Sequence, residues 1–394
     1  MERFRCASSM PLRYASGIAR SQPRVASLSV GSSPRWTVQL QVKKVIYKVK
    51  LVVGMTAAEY IFVSSIIASN QRDMKRIFLF AMMLGLAVAC SGKAAEPQRP
   101  VVYMTTEISP DALVRIYEAL DRPAEGRVAV KISTGEPGGH NFLQPSLIKD
   151  LVQKVNGTIV ECNTAYEGRR SSTEEHIKAA REHGFFDIAD VDIMDSEGEF
   201  RIPVRDTTHI KYDIVGTHLK NYDFMINLAH FKGHAMAGFG GVIKNQSIGV
   251  ASANGKAYIH SAGATEDAAQ MWPNIKEDTQ DGFLESMAAA AQGVADYFGD
   301  NILYINVMNN LSVDCDCSAH PADPLMLDVG IFASLDPVAL DEACLDYVFG
   351  MEPTEGNDNR PLMERVTSRN GRHTVDYAEQ IGLGSKDYEL VSID

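Results

Sequence analysis

The stretch from His230 to Gly249 concentrates side chains that bind ions or move protons. It reads H-F-K-G-H-A-M-A-G-F-G-G-V-I-K-N-Q-S-I-G, so two imidazoles and two ammonium groups surround a glycine cluster. These residue types suit an anion, a metal ion, or a substrate that carries both. The candidate functional residues in this stretch are His230, Lys232, His234, Gly240, Gly241, Lys244 and Asn245.

The roles within this stretch remain open at the level of sequence. Four residues separate His230 from His234, a spacing that would place both on one face of a helix, as in zinc sites. Gly233 and the apolar run before it favour a loop instead. Metal ligation by His234, proton transfer by His230, anion binding and plain hydrogen bonding are therefore all hypotheses.

The glycine cluster is followed by V-I-K-N, which predicts a loop that enters a helix. Backbone amides at a helix start, with Lys244 one turn in, favour a bound phosphate or carboxylate. Close packing of backbone is the alternative reason for the glycines. On the first interpretation, Lys244 is also a candidate catalytic residue.

A second group of chemically active residues reads D-C-D-C-S-A-H and ends at His320. Thiolates and an imidazole are ligands for zinc, iron or copper(I), and we predict that Cys315, Cys317 and His320 bind one ion. A redox-active thiol pair and a purely structural role are the alternatives. We expect a bridge between Cys315 and Cys317 to be strained, because only one residue separates them.

Three further loops carry polar residues of the same kinds. Glu136 lies in G-E-P-G-G-H-N and could act as an acid, a base or a ligand. Arg169 and Arg170 form a candidate clamp for a carboxylate or phosphate, although a solvated surface pair would look the same. Lys256 and His260 extend this set of basic residues.

The elements that must position these residues alternate between strands and amphipathic helices from Val101 onwards. This order predicts an α/β protein with a mainly parallel or mixed sheet and helices on both faces. Residues 100–394 should form a single large domain or two halves that share a cleft. We predict helices over 110–120, 145–155, 172–183, 282–297, 336–349, 361–369 and 375–380.

The polar loops all follow predicted strands. These strands cover 127–133, 158–163, 224–228 and 303–307, with further strands over 101–105, 191–194, 200–204, 329–333 and 388–393. Because ligands bind at the carboxyl ends of strands in such sheets, we expect the four loops to open on one edge and form one cleft.

Charge is distributed unevenly along the 394 residues. Residues 1–73 hold 11 Lys and Arg against 3 Asp and Glu, whereas the whole chain has a net charge of −12. A strongly acidic body argues against a nucleic-acid partner, because a phosphate backbone needs a basic surface. It also makes the cationic loops a signal of a small anionic ligand.

The chain contains a second candidate start at Met74. Lys75 and Arg76 precede an apolar run to Ala89, which is typical of a signal peptide over residues 74–89. Ala87-Val88-Ala89-Cys90 predicts lipidation at Cys90 with a tether over 90–99, although cleavage after Ala89 is the alternative. Residues 1–73 would then be a mis-assigned start or a non-structural extension, and the protein an exported one, lipid-anchored in the periplasm or cell envelope.

Several motifs together resemble a known family. They are K-I-S-T-G-E-P-G from Lys131, N-T-A-Y-E-G-R-R from Asn163, the stretch from His230 to Asn245, G-K-A-Y-I-H from Gly255, D-C-D-C from Asp314 and D-V-G-I-F-A-S-L-D-P-V-A-L-D from Asp328. Over nearly all of residues 100–394 the chain resembles domain-of-unknown-function family 362, whose members are also described as iron–sulfur-centre proteins.

The resemblance implies a family without an established reaction. Many relatives carry two cysteine clusters of ferredoxin type after the G-K-x-x-x-H segment, whereas this chain has S-A-G-A-T-E-D-A-A-Q-M-W-P there. We therefore expect no ferredoxin-type cluster. The favoured hypothesis is a metal-assisted or redox-associated enzyme for a small anionic substrate, with zinc or iron as the metal. The alternative is a lipoprotein that binds an anion or metal without chemistry; its protein partners are not indicated.

Overall fold

The computed structural model of the chain describes residues 99–394, apart from the side chain of Glu277. The predicted start at Met74, the signal peptide, the tether and the lipidated Cys90 lie outside the described residues, apart from the tether's last residue, Arg99, and stay predictions. Within the described part, no helix is both long and apolar enough to cross a membrane.

Eight strands form the central sheet, in the order β12-β1-β11-β10-β7-β2-β3-β4. Seven of these eight run in one direction and only β11 is reversed. The strands are β1 (Val101–Thr105), β2 (Val128–Lys131), β3 (Thr158–Glu161), β4 (Val191–Ile193), β5 (Glu199–Pro203), β6 (Tyr212–Gly216), β7 (Phe224–His230), β8 (Lys232–His234), β9 (Gly238–Gly240), β10 (Ile302–Met308), β11 (Gly330–Ser334) and β12 (Glu389–Ser392).

Helices cover both faces of the sheet, which confirms the predicted α/β class. They are α1 (Pro110–Ala119), α2 (Pro145–Lys154), α3 (Thr173–Glu182), α4 (Val242–Val250), α5 (Ala253–His260), α6 (Met271–Asn274), α7 (Gln280–Phe298), α8 (Pro337–Gly350), α9 (Arg360–Ser368) and α10 (Arg372–Gln380). Short 3₁₀ turns lie at Arg169–Ser171, Phe185–Asp187, Thr217–Asn221, Ala268–Gln270 and Glu277–Thr279.

Alternation along each central strand divides the core into two layers. In β7, Ile226 and Leu228 pack with α1 and α2, whereas Met225 and Ala229 pack with α4, α7 and α8. Side chains two residues apart point to the same face of a strand, so one strand can serve both layers. Buried apolar area on both faces is what holds this sheet together.

The predicted elements are confirmed, and their ends differ from the prediction by at most three residues. The structure corrects the interpretation of His230 to Gly241 as a loop. His230 ends β7, and the next residues form a small antiparallel hairpin of β8 and β9, with Lys232 opposite Gly240. Backbone pairing, which the glycines did not suggest, thus fixes Lys232 and His234. The hairpin of β5 with β6 and the helix α5 include stretches that the sequence patterns did not predict.

Candidate functional site

A cavity of about 370 Å³ lies at the carboxyl ends of β2, β3, β7 and β10. These strands are parallel neighbours in the sheet, and the loops after them open on the same edge, as the sequence predicts. The β8–β9 hairpin and helices α4, α5 and α6 supply the rest of the lining. The polar lining residues are Lys131, Ser133, Glu161, Thr164, Tyr166, Arg170, His230, Lys232, His234, Lys244, Asn245, Lys256, His260 and Asp316.

The lining from β2 and β3 is a closed network of ion pairs. Lys131 Nζ lies 2.9 Å from Glu161 Oε2, and Arg170 Nη1 lies 3.6 Å from Glu161 Oε1. Arg170 Nε donates to Glu136 Oε2 at 2.8 Å. Burial opposes ionisation of Glu161, but the surrounding positive charges, Lys131 first, outweigh it and lower its pKa to about 2. Each buried charge here has an opposite charge beside it.

A second ion-pair cluster joins β7, β8 and the loop after β10. The carboxylate of Asp316 faces His230 Nδ1 at 2.8 Å and Lys232 Nζ at 2.9 Å. Burial opposes ionisation of Asp316, but these two cations outweigh it and hold its pKa far below the usual range. His230 Nε2 faces the carbonyl of Asn309 at 2.6 Å. Since both ring nitrogens face acceptors, only the doubly protonated ring satisfies both.

Lys244 differs from the other lysines of the cavity. Among the described residues, its ammonium group has neither a hydrogen-bond partner nor a carboxylate within ion-pair distance, whereas Lys256 Nζ donates to the carbonyl of Ala251 at 2.6 Å. Burial, together with the charges of Lys232 and Lys131, lowers the pKa of Lys244 to about 7. The half-buried amine therefore gains or loses its proton near neutral pH. It lines the cavity, and no residue described by the structure supplies a counter-ion to it.

Two neutral imidazoles present opposite groups to the cavity. His234 Nδ1 accepts hydrogen bonds from the amides of Met236 and Ala237, at 3.1 and 3.0 Å, so the ring proton is on Nε2. His260 Nδ1 donates to the carbonyl of Lys256 at 2.7 Å, which leaves a lone pair on Nε2. Burial is the main reason why the pKa of His234 is well below normal and that of His260 falls to about 4.

The C-D-C sequence forms a disulfide between Cys315 and Cys317. The turn holds the two Cα atoms 5.2 Å apart, within the range in which disulfides form. Cys162 and Cys344 are buried free thiols.

His234, Cys315 and Cys317 offer ligand atoms that all lie within 4.8 Å of one another, close enough to hold a metal ion. The donors as arranged do not fit one. The sulfurs are bonded to each other, and the lone pair of the imidazole accepts two backbone hydrogen bonds. A metal ion needs deprotonated thiolates and a free imidazole nitrogen.

The start of α4 already has an anion from the chain itself. Asp341 of α8 accepts hydrogen bonds from the amides of Val242 and Ile243, at 2.9 and 3.0 Å. Gly241 is required there, because a Cβ atom would lie 2.3 Å from the carboxylate. The predicted phosphate or carboxylate at this helix start is thus an internal side chain, which corrects the assignment of these two amides to a ligand.

The structure brings most of the predicted site residues to the cavity, and their roles stay predictions. Asn245 mainly links α4 to the sheet, since its side-chain amide donates to Lys131 O and Asn227 Oδ1. Three residues do not line the cavity: Glu136 lies behind Arg170, Arg169 pairs with Glu175 and Glu182 on the surface, and His320 is exposed. The lining includes the predicted residues Arg170, His230, Lys232, His234, Gly240, Gly241, Lys244, Asn245, Lys256, His260, Cys315 and Cys317.

Sequence reasoning missed four charged residues that organise the site. Lys131 and Glu161 end short strands whose other residues are mostly apolar and buried, and that placement is a usable signal. Asp316 and Asp341 carried no such signal, because their partners come from segments 86 and about 100 residues away along the chain.

The fold and site together define an α/β protein with a cation-lined cavity at the carboxyl edge of its sheet. Residues 128–346 match the sequence profile of the family described as domain of unknown function DUF362, so the resemblance is confirmed and the chain belongs to this family. The match extends from β2 into α8 and includes all four loops that line the cavity. None of the curated protein sequences matches the chain.

Two solved structures are similar to parts of the chain. The lactate racemase apoprotein from Thermoanaerobacterium thermosaccharolyticum is 15% identical with a TM-score of 0.37, and the match covers 63% of this chain and 56% of that one. A protein from Thermotoga maritima is 9% identical with a TM-score of 0.35, over 70% of this chain and 60% of that one. The chain thus matches little more than half the length of either, and neither similarity assigns an activity to it.

Proposed function

We propose that the cavity binds a small anionic molecule and that the protein is an enzyme that acts on it, with Lys244 as the group that meets the negative charge. The observation that carries this proposal is the absence of a counter-ion at Lys244 among the described residues, in a cavity where Lys131 and Lys232 each have one. A ligand carboxylate or phosphate would supply the missing charge.

The two imidazoles support a ligand with both acceptor and donor groups. The Nε2–H group of His234 would donate to an anion, and the lone pair on His260 Nε2 would accept from a hydroxyl group. As an ammonium group, Lys244 could donate a proton to a bound ligand, because its pKa of about 7 in the free protein lies near neutral pH. A hydroxy acid or a related small carboxylate has groups of these kinds.

The test is a titration of the protein with small mono- and dicarboxylates and with inorganic phosphate, in which calorimetry measures the affinity. We expect Lys244→Gln to weaken binding at least about tenfold, which corresponds to about 1.4 kcal/mol. Lys178→Gln, an exposed lysine on α3, is the matched control and should bind as the wild type does. Equal affinity of wild type and Lys244→Gln would refute the proposal. Binding without turnover of any bound compound would favour the non-catalytic binding module.

The metal-assisted form of this proposal needs a change of state. Zinc or iron would require Cys315 and Cys317 as thiolates and a lone pair on His234, so stoichiometric metal in anaerobically reduced protein would support it. Metal analysis of oxidised and reduced protein separates the two forms.

We also propose export and lipid anchoring at Cys90, on the support of the sequence pattern alone. Labelling with a radioactive fatty acid should mark the wild type and not Cys90→Ser. Equal labelling of both would exclude this site.

A further inference from the structure

The disulfide between Cys315 and Cys317 lines the cavity and has no evident structural task. A disulfide stabilises a protein mainly by restricting the unfolded chain, and the effect grows with the number of residues between the cysteines. Here a single residue separates them, so the bridge restricts almost nothing. The loop is instead held by Asp316, which lies between the two cysteines and is fixed by His230 and Lys232.

We propose that this disulfide exchanges with a small anionic thiol bound in the cavity, a proposal that rests on the anion site proposed above. The cations that would bind the carboxylate of such a thiol line the same cavity as the two sulfurs. The product of complete exchange is the ligand's disulfide together with a reduced Cys315–Cys317 pair.

The two sulfurs differ in a way that gives the exchange a direction. Cys317 is the less buried of the pair, so its Sγ is the accessible target for an incoming thiolate. The amide of Cys317 donates to Cys315 Sγ at 3.3 Å. This hydrogen bond stabilises Cys315 as the leaving thiolate.

The step balances without any further reagent. The ligand thiolate attacks Cys317 Sγ, a new S–S bond forms, the Cys315–Cys317 bond breaks, and its electron pair passes to Cys315. A second ligand thiolate attacks the ligand sulfur of this mixed disulfide and releases Cys317 as a thiolate. Two ligand thiolates are oxidised to one disulfide and pass two electrons to the protein disulfide, which becomes two cysteine thiolates that take up protons from solvent.

The experiment compares 3-mercaptopropionate with its neutral counterpart 3-mercaptopropanamide as reductants of the native, oxidised protein. Alkylation of released thiols and mass spectrometry follow the reaction, and an oxidised peptide of residues 312–319 gives the intrinsic ratio of the two rates. We expect the anionic thiol to gain at least about tenfold over the neutral one in the protein relative to the peptide. Lys244→Gln should remove that gain and Lys178→Gln should retain it.

A second variant tests the order of the two sulfurs. In Cys315→Ser, the remaining Cys317 should form a mixed disulfide with 3,3′-dithiodipropionate, whereas Cys315 in Cys317→Ser should react more slowly.

The reductant experiment also defines the result that would overturn the proposal. That result is a ratio of the rate with 3-mercaptopropionate to the rate with 3-mercaptopropanamide that is the same in the protein as in the peptide. If carboxylates without a thiol group still bind in calorimetry in that case, the anion site stands and the exchange alone fails.

Discussion

Two walls of one cavity treat positive charge in opposite ways. In the paired wall, which consists of Lys131, Glu161 and Arg170, each cation is neutralised by a carboxylate, either Glu161 in the wall or Glu136 behind Arg170. The open wall, which consists of Lys244, His234 and His260, leaves an ammonium group and two ring nitrogens without partners among the described residues. Both walls contain basic residues, so the sequence does not separate them, and only their contacts in the structure do.

The difference indicates which cations stabilise the fold and which are available to bind a ligand. Burial of a charge costs several kcal/mol unless a partner compensates for it, so a paired wall can be retained for stability alone. An unpaired lysine in a partly enclosed cavity raises the free energy of the folded state. Such a cost is typical of functional sites. The two walls should therefore respond to mutation with opposite signs.

The largest expected effect is on the paired wall. Lys131→Met leaves Glu161 buried and deprived of its closest cation, and we expect unfolding free energy to fall by about 4 kcal/mol in urea denaturation. Lys178→Met, which removes only exposed ion pairs on α3, should change it by less than about 0.5 kcal/mol. A loss at Lys131 no larger than that of the control would erase the distinction between the walls.

The helix start next to the open wall should behave like the paired wall. Asp341→Asn places a donor against one of the two amides that the carboxylate now satisfies, and we expect a loss of about 2 kcal/mol. Asp346→Asn, an exposed position on the same helix, is the control and should cost about 0.5 kcal/mol. Chemical denaturation of both variants measures the difference. Stabilisation by Asp341→Asn would mean that this helix start is free to take a ligand.

The open wall should gain stability when its cation is removed. The pKa of Lys244 is about 7 in the folded protein and near 10.5 when unfolded, so the folded state binds this proton less well. Lys244 therefore costs most below pH 7, and the cost fades as the pH rises towards 10.5. We expect Lys244→Met to stabilise the protein by about 2 kcal/mol near pH 6 and by little near pH 10. Thermal unfolding across this range measures it, and a destabilised variant at pH 6 would contradict it.

How far the sequence predicts this site depends on the range of the contacts. Strand ends bring Lys131 and His230 to one edge, and the loop after β10 brings Cys315 there, because parallel neighbours share a direction and the apolar periodicity reveals the strands. The pairing of charges was not predictable. Asp316 and Asp341 meet their partners through the packing of loops and helices distant in sequence, and no local pattern encodes that contact. The same limit explains why the sequence does not distinguish paired from unpaired cations. It also explains why the start of α4, whose amides donate to Asp341, resembles a ligand site in the sequence.

The smallest expected effect is the uptake of protons when a ligand binds, and it tests the open wall directly. An anion beside Lys244 stabilises its charged form, so the pKa, which is about 7 in the free protein, should rise when the ligand binds. Affinity should then be highest below pH 7 and fall by up to about tenfold per pH unit above it, until the pKa of the bound state is reached. At pH 7, calorimetry in buffers of different ionisation enthalpy should detect uptake of about half a proton per ligand.

Lys244→Gln should show neither the pH dependence of affinity nor the proton uptake, whereas Lys178→Gln should show both. An affinity that stays constant from about pH 6 to 9, with no proton uptake, would place the anion away from Lys244 and leave the two walls without a functional difference.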